Sequence, residues 1–292
     1  MENRLERFHP LVPFLYYGGA LSLFLLFLHP VFLPIGFILL LIINYMQDRL
    51  TGIRTWLFLM LTTVVLIMVM NPLFNERGRH LLFMIAEHRI TLEAVIYGGM
   101  NALSIVGVMT VFISYNLIMT PNKLLFLFAK FLPQFAVLLM LTLRFIPLMR
   151  RRLDEIMLVQ QSKGLSVTHG PLSTKLKNGM LYVQALLTYS LEEAIQTADS
   201  MKARGYGIGH RTSYEYFKIK KADMSAIIYL SILLITILVA RLTGYGFLSV
   251  YPVMESWQLA WQDMVTLIFY MLFLSFPLLV EIGELFRWRL SK

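Results

Sequence analysis

Arg204 is the residue whose type and position best suit a binding role, because it stands between Ala203 and Gly205 at a predicted helix end. Apolar residues recur from Leu176 to Met201 with a spacing of about 3.6 residues, which predicts an amphipathic helix that reaches Arg204. Gly205 can adopt a positive φ and end that helix. A guanidinium there stays charged and can hold a carboxylate through two parallel hydrogen bonds. We predict a docking tip at this position, although a tripeptide of this kind also arises by chance.

A second helix end with the same order of residue types lies 41 positions earlier in the chain. Ser162, Lys163 and Gly164 again place a small residue, a cation and a glycine at the end of a predicted helix, residues 150–165. Lysine offers a point charge and lacks the planar fork of arginine, so we expect a weaker contact here than at Arg204. The repetition favours a shared docking role over chance.

The elements that position the two tips are those of an integral membrane protein. Of the 292 residues, 58% are hydrophobic, with 21 Phe and 18 Met, and the mean hydropathy is +0.67. Soluble domains are about 45–50% apolar, so most of this chain is expected to lie in a bilayer. The chain has no cysteine, which excludes disulfides, thiolate nucleophiles and metals bound by cysteine.

The order of apolar runs predicts an all-α integral membrane protein with about six transmembrane helices and a cytoplasmic domain of about three long amphipathic helices. Residues 1–120 are predicted to form a four-helix transmembrane region, residues 121–221 the cytoplasmic helices, and residues 222–292 a two-helix transmembrane region. The predicted spans are residues 11–28, 31–46, 55–70, 90–119, 223–242 and 264–282. Residues 73–89 are predicted to be a charged loop.

The charge distribution predicts which side of the membrane the tips face. Residues 144–221 contain 13 of the 26 Lys and Arg but 6 of the 17 Asp and Glu, a net charge of +7. Such a basic tract beside membrane spans is typical of the cytoplasmic side, and both termini are placed there as well. The helices of this tract are expected to lie partly in the lipid interface. A nucleic-acid partner is not expected, because no aromatic platform accompanies the charges.

Several polar residues in the fourth predicted span leave two alternatives open. Glu93, Asn101, Ser104 and Asn116 could line a substrate path, but hydrogen bonds between helices are their commoner role. His80 and His88 lack neighbours at the spacing of metal ligands, so we predict no metal site. No phosphate-binding glycine loop or hydrolase motif is present, so we predict no catalytic residue and no bound cofactor in this chain.

These residues resemble the transmembrane T component of energy-coupling factor transporters. The resemblance rests on three segments. Residues 71–74 are Asn-Pro-Leu-Phe, and residues 143–148 followed by 160–165 are similar to the first coupling helix of the family. Ala203-Arg204-Gly205 matches its second Ala-Arg-Gly motif. The first motif differs, because Ser162 and Lys163 stand where the family has Ala and Arg. The resemblance covers nearly the whole chain.

The resemblance implies a non-catalytic subunit of an importer in a bacterial or archaeal cell membrane. The two tips would insert into grooves on two cytoplasmic ABC ATPase subunits, which bind ATP and Mg²⁺. Other helices would hold one substrate-binding membrane subunit, the S subunit, which takes up a vitamin or a cobalt or nickel ion. The substrate itself is not encoded here, since the S subunit selects it.

Two other classes remain as alternatives at this point. A conventional ABC importer permease carries a Glu-Ala-Ala signature followed by glycine, but Glu193-Ala194 matches it only in part, and Ala198 stands where the glycine is expected. Such permeases also have one coupling helix instead of two tips. A membrane scaffold without a role in transport is the other alternative. Binding of ATPases and of an S subunit would separate these hypotheses.

Overall fold

The computed structural model describes residues 4–75, 78–85, 88–129, 132–209, 217–246, 248 and 260–290. A short 3₁₀ helix, Arg4–Arg7, precedes the first α-helix. The α-helices are α1 (Leu11–Leu26), α2 (Phe32–Asp48), α3 (Thr51–Phe74), α4 (Leu92–Ile118), α5 (Pro121–Ala129), α6 (Pro133–Ser162), α7 (Leu172–Ala203), α8 (Lys221–Leu242), α9 (Trp261–Leu274) and α10 (Phe276–Leu290). Two strands, β1 (Leu81–Ile85) and β2 (His88–Thr91), lie between α3 and α4. The prediction of an all-α membrane protein is confirmed.

Contacts divide the chain into two units, and the sequence of the second interrupts that of the first. The membrane unit comprises residues 1–123 and 217–292, and the inserted unit comprises residues 124–216. In the membrane unit α4 packs against α1, α2 and α3, while α9 packs against α1, α2 and α8. In the inserted unit the main packing is of α6 on α7.

Aromatic side chains form the centre of the membrane unit. Tyr16 stacks on Phe273 with ring centroids 5.8 Å apart, and Phe32 meets Tyr270 edge to face at 5.5 Å. All four side chains have no exposed surface. Aromatic pairs of this kind add to the stabilisation that burial alone provides. The core therefore joins α1 and α2, near the start of the chain, to α9, near its end.

Three of the described helices are long and apolar enough to cross a membrane: α3, α4 and α8. The pair α9 and α10, bent by 56° at Ser275, would make a fourth if it is one span. The apolar helices α1 and α2, with 16 and 17 residues, are shorter than the roughly 20 residues that a straight span needs. The six spans stay a prediction, in which α1, α2, α3, α4 and α8 each cross once and the pair α9 and α10 makes the sixth crossing.

The connection between α3 and α4 differs from its prediction as a loop. Strands β1 and β2 pair antiparallel, with Met84 opposite Arg89. The buried Glu93 carboxylate closes the base of this hairpin, because it accepts hydrogen bonds from the backbone N–H groups of Arg79 at 3.1 Å and His80 at 3.2 Å. Glu93 thus stabilises this connection, and this role is neither lining a substrate path nor bonding between helices. Ser104 does bond between helices, since its hydroxyl donates to the carbonyl of Phe24.

The described part of residues 121–221, where about three long helices were predicted, contains two long helices and a short one. Helix α5 is short, with nine residues, and α6 and α7 have 30 and 32. Leu132 precedes Pro133 and has a non-helical backbone, with φ −131° and ψ 71°. A residue before proline is pushed out of the helical region, which explains why α6 begins at Pro133 instead of continuing an earlier helix.

Candidate docking site at two helix ends

Helix α6 ends in a compact glycine turn at the first predicted tip. Ser162 is its last residue, Lys163 caps it with φ −88° and ψ 7°, and Gly164 follows with φ +78°. The N–H of Gly164 donates to the carbonyl of Gln161 at 2.9 Å, and the N–H of Leu165 donates to that of Gln160 at 3.0 Å. This pair of bonds is the Schellman motif, which requires the left-handed conformation that glycine adopts without strain.

Helix α7 ends in the same way at the second tip. Ala203 is its last residue, Arg204 caps it with φ −82° and ψ 5°, and Gly205 follows with φ +80°. The N–H of Gly205 donates to the carbonyl of Lys202 at 2.9 Å, and the N–H of Tyr206 donates to that of Met201 at 2.9 Å. The backbones of the two tips are therefore equivalent to within a few degrees at the cation and the glycine.

The cation distinguishes the tips from an ordinary glycine turn. Helix α8 ends with the same two hydrogen bonds, at Gly244 and Tyr245, but its capping residue is Thr243. Lys163 and Arg204 are exposed, and the described residues give neither side chain a hydrogen bond or an ion pair. The geometry thus presents two cations at the negative ends of two helix dipoles, open to an external anion.

The six predicted site residues form two separate sets at the surface of the inserted unit. Ser162, Lys163 and Gly164 are exposed at the end of α6; Ala203 and Arg204 are exposed and Gly205 is half-buried at the end of α7. A Cβ atom added at Gly164 would meet no atom within 4 Å, so the space in front of this tip is open.

Arg152 of α6 contacts Tyr189 of α7 where these helices pack together. The guanidinium carbon lies 3.8 Å from the centroid of the Tyr189 ring, a close cation–π contact. Arg152 also donates to Glu155 at 2.5 Å, and this hydrogen bond raises the pKa of the guanidinium. Nearby, the Ser190 hydroxyl donates to the sulfur of Met149 at 3.0 Å. Polar contacts therefore contribute to this packing together with apolar ones.

An open groove of about 660 Å³ lies beside the first tip, between the end of α6 and the middle of α7. Lys163 forms part of one wall. The remaining lining residues are Gln160, Leu165, Leu181, Gln184, Ala185, Thr188, Tyr189 and Glu192. The described residues contain no cluster of three His, Asp or Glu side chains that could hold a metal ion.

Sequence reasoning missed Asn178 and Tyr182, two polar residues of α7 that touch the segment after the first tip. Both are buried, and both donate to backbone carbonyls of that segment. Their spacing of four residues places them on one helix face, but nothing in the sequence names their partners.

Comparison with known proteins identifies the family. Residues 3–214 match the family model CbiQ, described as cobalt transport protein. The energy-coupling factor transporter transmembrane protein EcfT of Staphylococcus aureus (strain 04-02981) is 25% identical over 213 residues, 67% of this chain and 79% of that protein. The protein of the same name from Lactobacillus helveticus (strain DPC 4571) is 25% identical over 245 residues, 76% of this chain and 87% of that one. The one from Bacillus subtilis (strain 168) is 32% identical over 101 residues, 34% of this chain and 38% of that one.

The apolar helices and these relatives define a multi-pass membrane protein, a membrane component of a transporter that works with other subunits. The chain belongs to the CbiQ family of energy-coupling factor transporter transmembrane components. The resemblance stated from the motifs is confirmed.

Proposed function

We propose that this chain is the coupling subunit of an energy-coupling factor importer. It transmits ATP-driven motion from two cytoplasmic ABC ATPase subunits to a separate S subunit, which binds a vitamin or a metal ion. The chain itself hydrolyses no ATP, and its partners bind the nucleotide and Mg²⁺. The inserted unit faces the cytoplasm, in agreement with its excess of Lys and Arg.

The observation that carries this proposal is the pair of equivalent helix ends. Two exposed cations follow helices that stop with the same backbone geometry, and each cation is preceded by a small residue, Ser162 or Ala203. A small residue lets another surface approach the backbone closely. Two equivalent protrusions suit two equivalent receptors, as a pair of ATPase subunits would provide. A conventional permease, which has a single coupling helix, would have no use for a second tip.

Arg204 is the stronger of the two proposed contacts. An ATPase groove with a carboxylate would receive two parallel hydrogen bonds from its guanidinium, which itself lies favourably at the negative end of the helix dipole. Lys163 can give one charged hydrogen bond at a time in any fixed geometry. The two ATPases would therefore be held with unequal strength unless their grooves compensate.

An apolar stripe on α7 supports binding of the S subunit. Seven large apolar side chains recur every three or four residues along one face and are all more than half exposed: Leu172, Leu176, Met180, Val183, Leu187, Leu191 and Ile195. A stripe of this period normally packs against another protein surface. We propose that the S subunit covers it in the assembled importer and that the lipid interface borders it.

The test is a charge reversal at the second tip. Arg204→Glu would place two like charges in the proposed groove, a loss on the order of 2–5 kcal/mol or more, so co-purification of the ATPases should largely fail. Lys202→Glu is the matched control, because it makes the same charge change two residues earlier on an exposed side chain. It should alter binding by less than about 1 kcal/mol.

The measurement is the amount of each ATPase recovered with the tagged full-length chain, paired with substrate uptake by cells that also produce the S subunit. Full recovery and full uptake with Arg204→Glu would refute docking through this tip. Equal losses with Arg204→Glu and Lys202→Glu would show that overall charge, and not a specific contact, drives assembly.

A further inference from the structure

Helix α7 buries two side chains along its 32 residues, and both are polar. Asn178 is 5% exposed and Tyr182 is 3% exposed, while the large apolar residues of the same helix are mostly open. Polar groups are buried at a cost unless they find hydrogen-bond partners, so a polar pair at the most enclosed place of a helix indicates a specific contact.

The partners of this pair are consecutive carbonyl groups just beyond the first tip. The Tyr182 hydroxyl donates to the carbonyl oxygen of Leu165. The Asn178 side-chain amide donates to the carbonyl oxygen of Ser166 at 2.8 Å. Leu165 is also the residue whose N–H closes the glycine turn of α6 at Gln160. The same residue thus belongs to the end of α6 and to the contact with α7.

We infer that Asn178 and Tyr182 are positioning residues that hold the first tip against α7, so that this helix carries both tips as one rigid arm. The inference rests on the proposed docking role of the tips. From Tyr182 to Arg204 the helix advances 22 residues, or about 33 Å at 1.5 Å per residue. Helix α7 therefore acts as the spacer that separates the cation of α6 from its own.

A fixed separation matters because the two tips act on two partners. Rigid placement lets both tips enter their grooves without a further loss of conformational freedom, and preorganisation of this kind strengthens binding. It also means that movement of one ATPase displaces the other tip. The Arg152 contact with Tyr189 joins the same two helices at a second place and therefore restricts rotation of α6 about the tether.

Spin labels can measure the separation directly, because the native chain has no cysteine. Gln161→Cys and Lys202→Cys place labels on exposed residues, each two positions before its tip cation. In the full-length protein we expect one narrow distance distribution. Asn178→Leu combined with Tyr182→Phe removes both donors and keeps the side-chain volumes similar, and it should widen the distribution at least about twofold.

Gln196→Leu is the matched control. It removes an exposed side-chain amide from the same helix, but that amide donates to Glu192 of α7 at 3.4 Å and not to the segment after the tip. Its distance distribution should match that of the labelled parent. ATPase binding by the unlabelled proteins should weaken about tenfold, or 1.4 kcal/mol, for the double variant and remain unchanged for the control.

Each outcome decides a separate point. An unchanged distance distribution in the double variant overturns the tether, whatever the ATPases do. A widened distribution with unchanged ATPase affinity overturns the positioning role, although the hydrogen bonds would be real. If the unaltered chain fails to bind ATPases at all, the proposed function is wrong, and the distance measurement still decides whether Asn178 and Tyr182 set the spacing.

Discussion

The membrane unit and the inserted unit are held together in different ways. In the membrane unit α1, α2, α4, α8 and α9 all contribute to one apolar core, whose largest side chains are aromatic and fully buried. In the described part of the inserted unit the buried residues are Leu125, Ala136, Asn178 and Tyr182. The first unit is stabilised by its interior, whereas the second is shaped by a few specific contacts and leaves its apolar surface to be covered by something else.

The exposed apolar residues of the two units also differ in arrangement. On α3 they cover the helix except for the face that packs on α4, since consecutive residues from Trp56 to Leu59 are all exposed, with Phe58 at 82%. A helix that is apolar on all sides is suited to lipid. On α7 they form one stripe, and charged residues such as Lys175 and Glu192 lie on other faces of the helix. The exposed surface of α3 is therefore suited to a bilayer, and that of α7 is suited to the partner proposed for it above.

The largest effect on stability is expected at the start of α8, where the chain enters the membrane unit again after the inserted unit. Asp223 is buried at the start of α8 and accepts hydrogen bonds from the backbone N–H groups of His9 at 3.0 Å and Lys220 at 2.7 Å. Asp223→Ala would leave both donors without this acceptor. We expect the free energy of unfolding in detergent to fall by about 3 kcal/mol, since bonds to a charged group contribute about 1.5–3 kcal/mol each.

Asp199→Ala is the control for that experiment, because it removes the same charge from an exposed position of α7 in the inserted unit. The free energy of unfolding should change by less than about 0.5 kcal/mol. Equal destabilisation by the two changes would show that the contrast between a packed and an open unit is wrong.

Two glycine-to-alanine substitutions, one in each unit, should change the stability of the protein in opposite directions. At Gly107 of α4 an added Cβ would lie 2.3 Å from two ring carbons of the fully buried Phe24, so Gly107→Ala should cost about 2 kcal/mol of stability. At Gly179 of α7 the nearest atom is a methyl group of Val167 at 3.8 Å, an ordinary contact. Gly179→Ala should stabilise by about 0.5–1 kcal/mol, because alanine is the better helix residue.

Unfolding of both variants in the same detergent, followed by circular dichroism at increasing temperature, provides the measurement. A stabilised Gly107→Ala protein would mean that the α1–α4 contact is looser than the packing indicates. A destabilised Gly179→Ala protein would mean that a further surface approaches α7 at this glycine.

The helix ends were predictable because the signals that make them are local. Glycine after a cation predicted ends at residue 165 for the first helix and at Arg204 for the second, and α6 ends three residues earlier, at Ser162, and α7 one residue earlier, at Ala203. The start of α7 was less clear. Pro171 has an extended backbone, with φ −66° and ψ 156°, and the helix begins at Leu172, before the apolar residues from which it was recognised.

The contacts that position the tips were not predictable, because their partners are backbone groups brought close only by folding. Asn178 and Tyr182 look like ordinary polar residues of a helix, and the carbonyls that they bind lie 12 and 17 residues away. The hairpin between α3 and α4 was missed for another reason. Its strands contain five and four residues and are surrounded by charges, and so short a run cannot be told from a loop by periodicity.

The smallest effects on stability are expected at the two tips themselves, where the free energy of unfolding should stay constant and only ATPase binding should change. Arg204→Ala should weaken ATPase binding by about 2 kcal/mol, because it removes a charged donor that can make two hydrogen bonds. Lys163→Ala should weaken ATPase binding by about 1 kcal/mol, since the lysine contact is monodentate and better hydrated. Neither substitution should change the unfolding temperature, as both side chains are exposed and carry no bond within the described residues.

Lys163→Arg sharpens this comparison, because it gives the first tip the cation of the second on an almost identical backbone. Lys163 and Arg204 differ by 6° in φ and 2° in ψ, so the new guanidinium would start from the geometry that Arg204 has. If the first groove has room, the planar fork can use both carboxylate oxygens, and binding should be unchanged or tighter by up to about 1 kcal/mol. Titration of each ATPase onto the purified variants measures this directly. Weaker binding by Lys163→Arg would show that the first groove is shaped for lysine, and equal losses for Lys163→Ala and Arg204→Ala would remove the asymmetry between the tips while leaving the docking role intact.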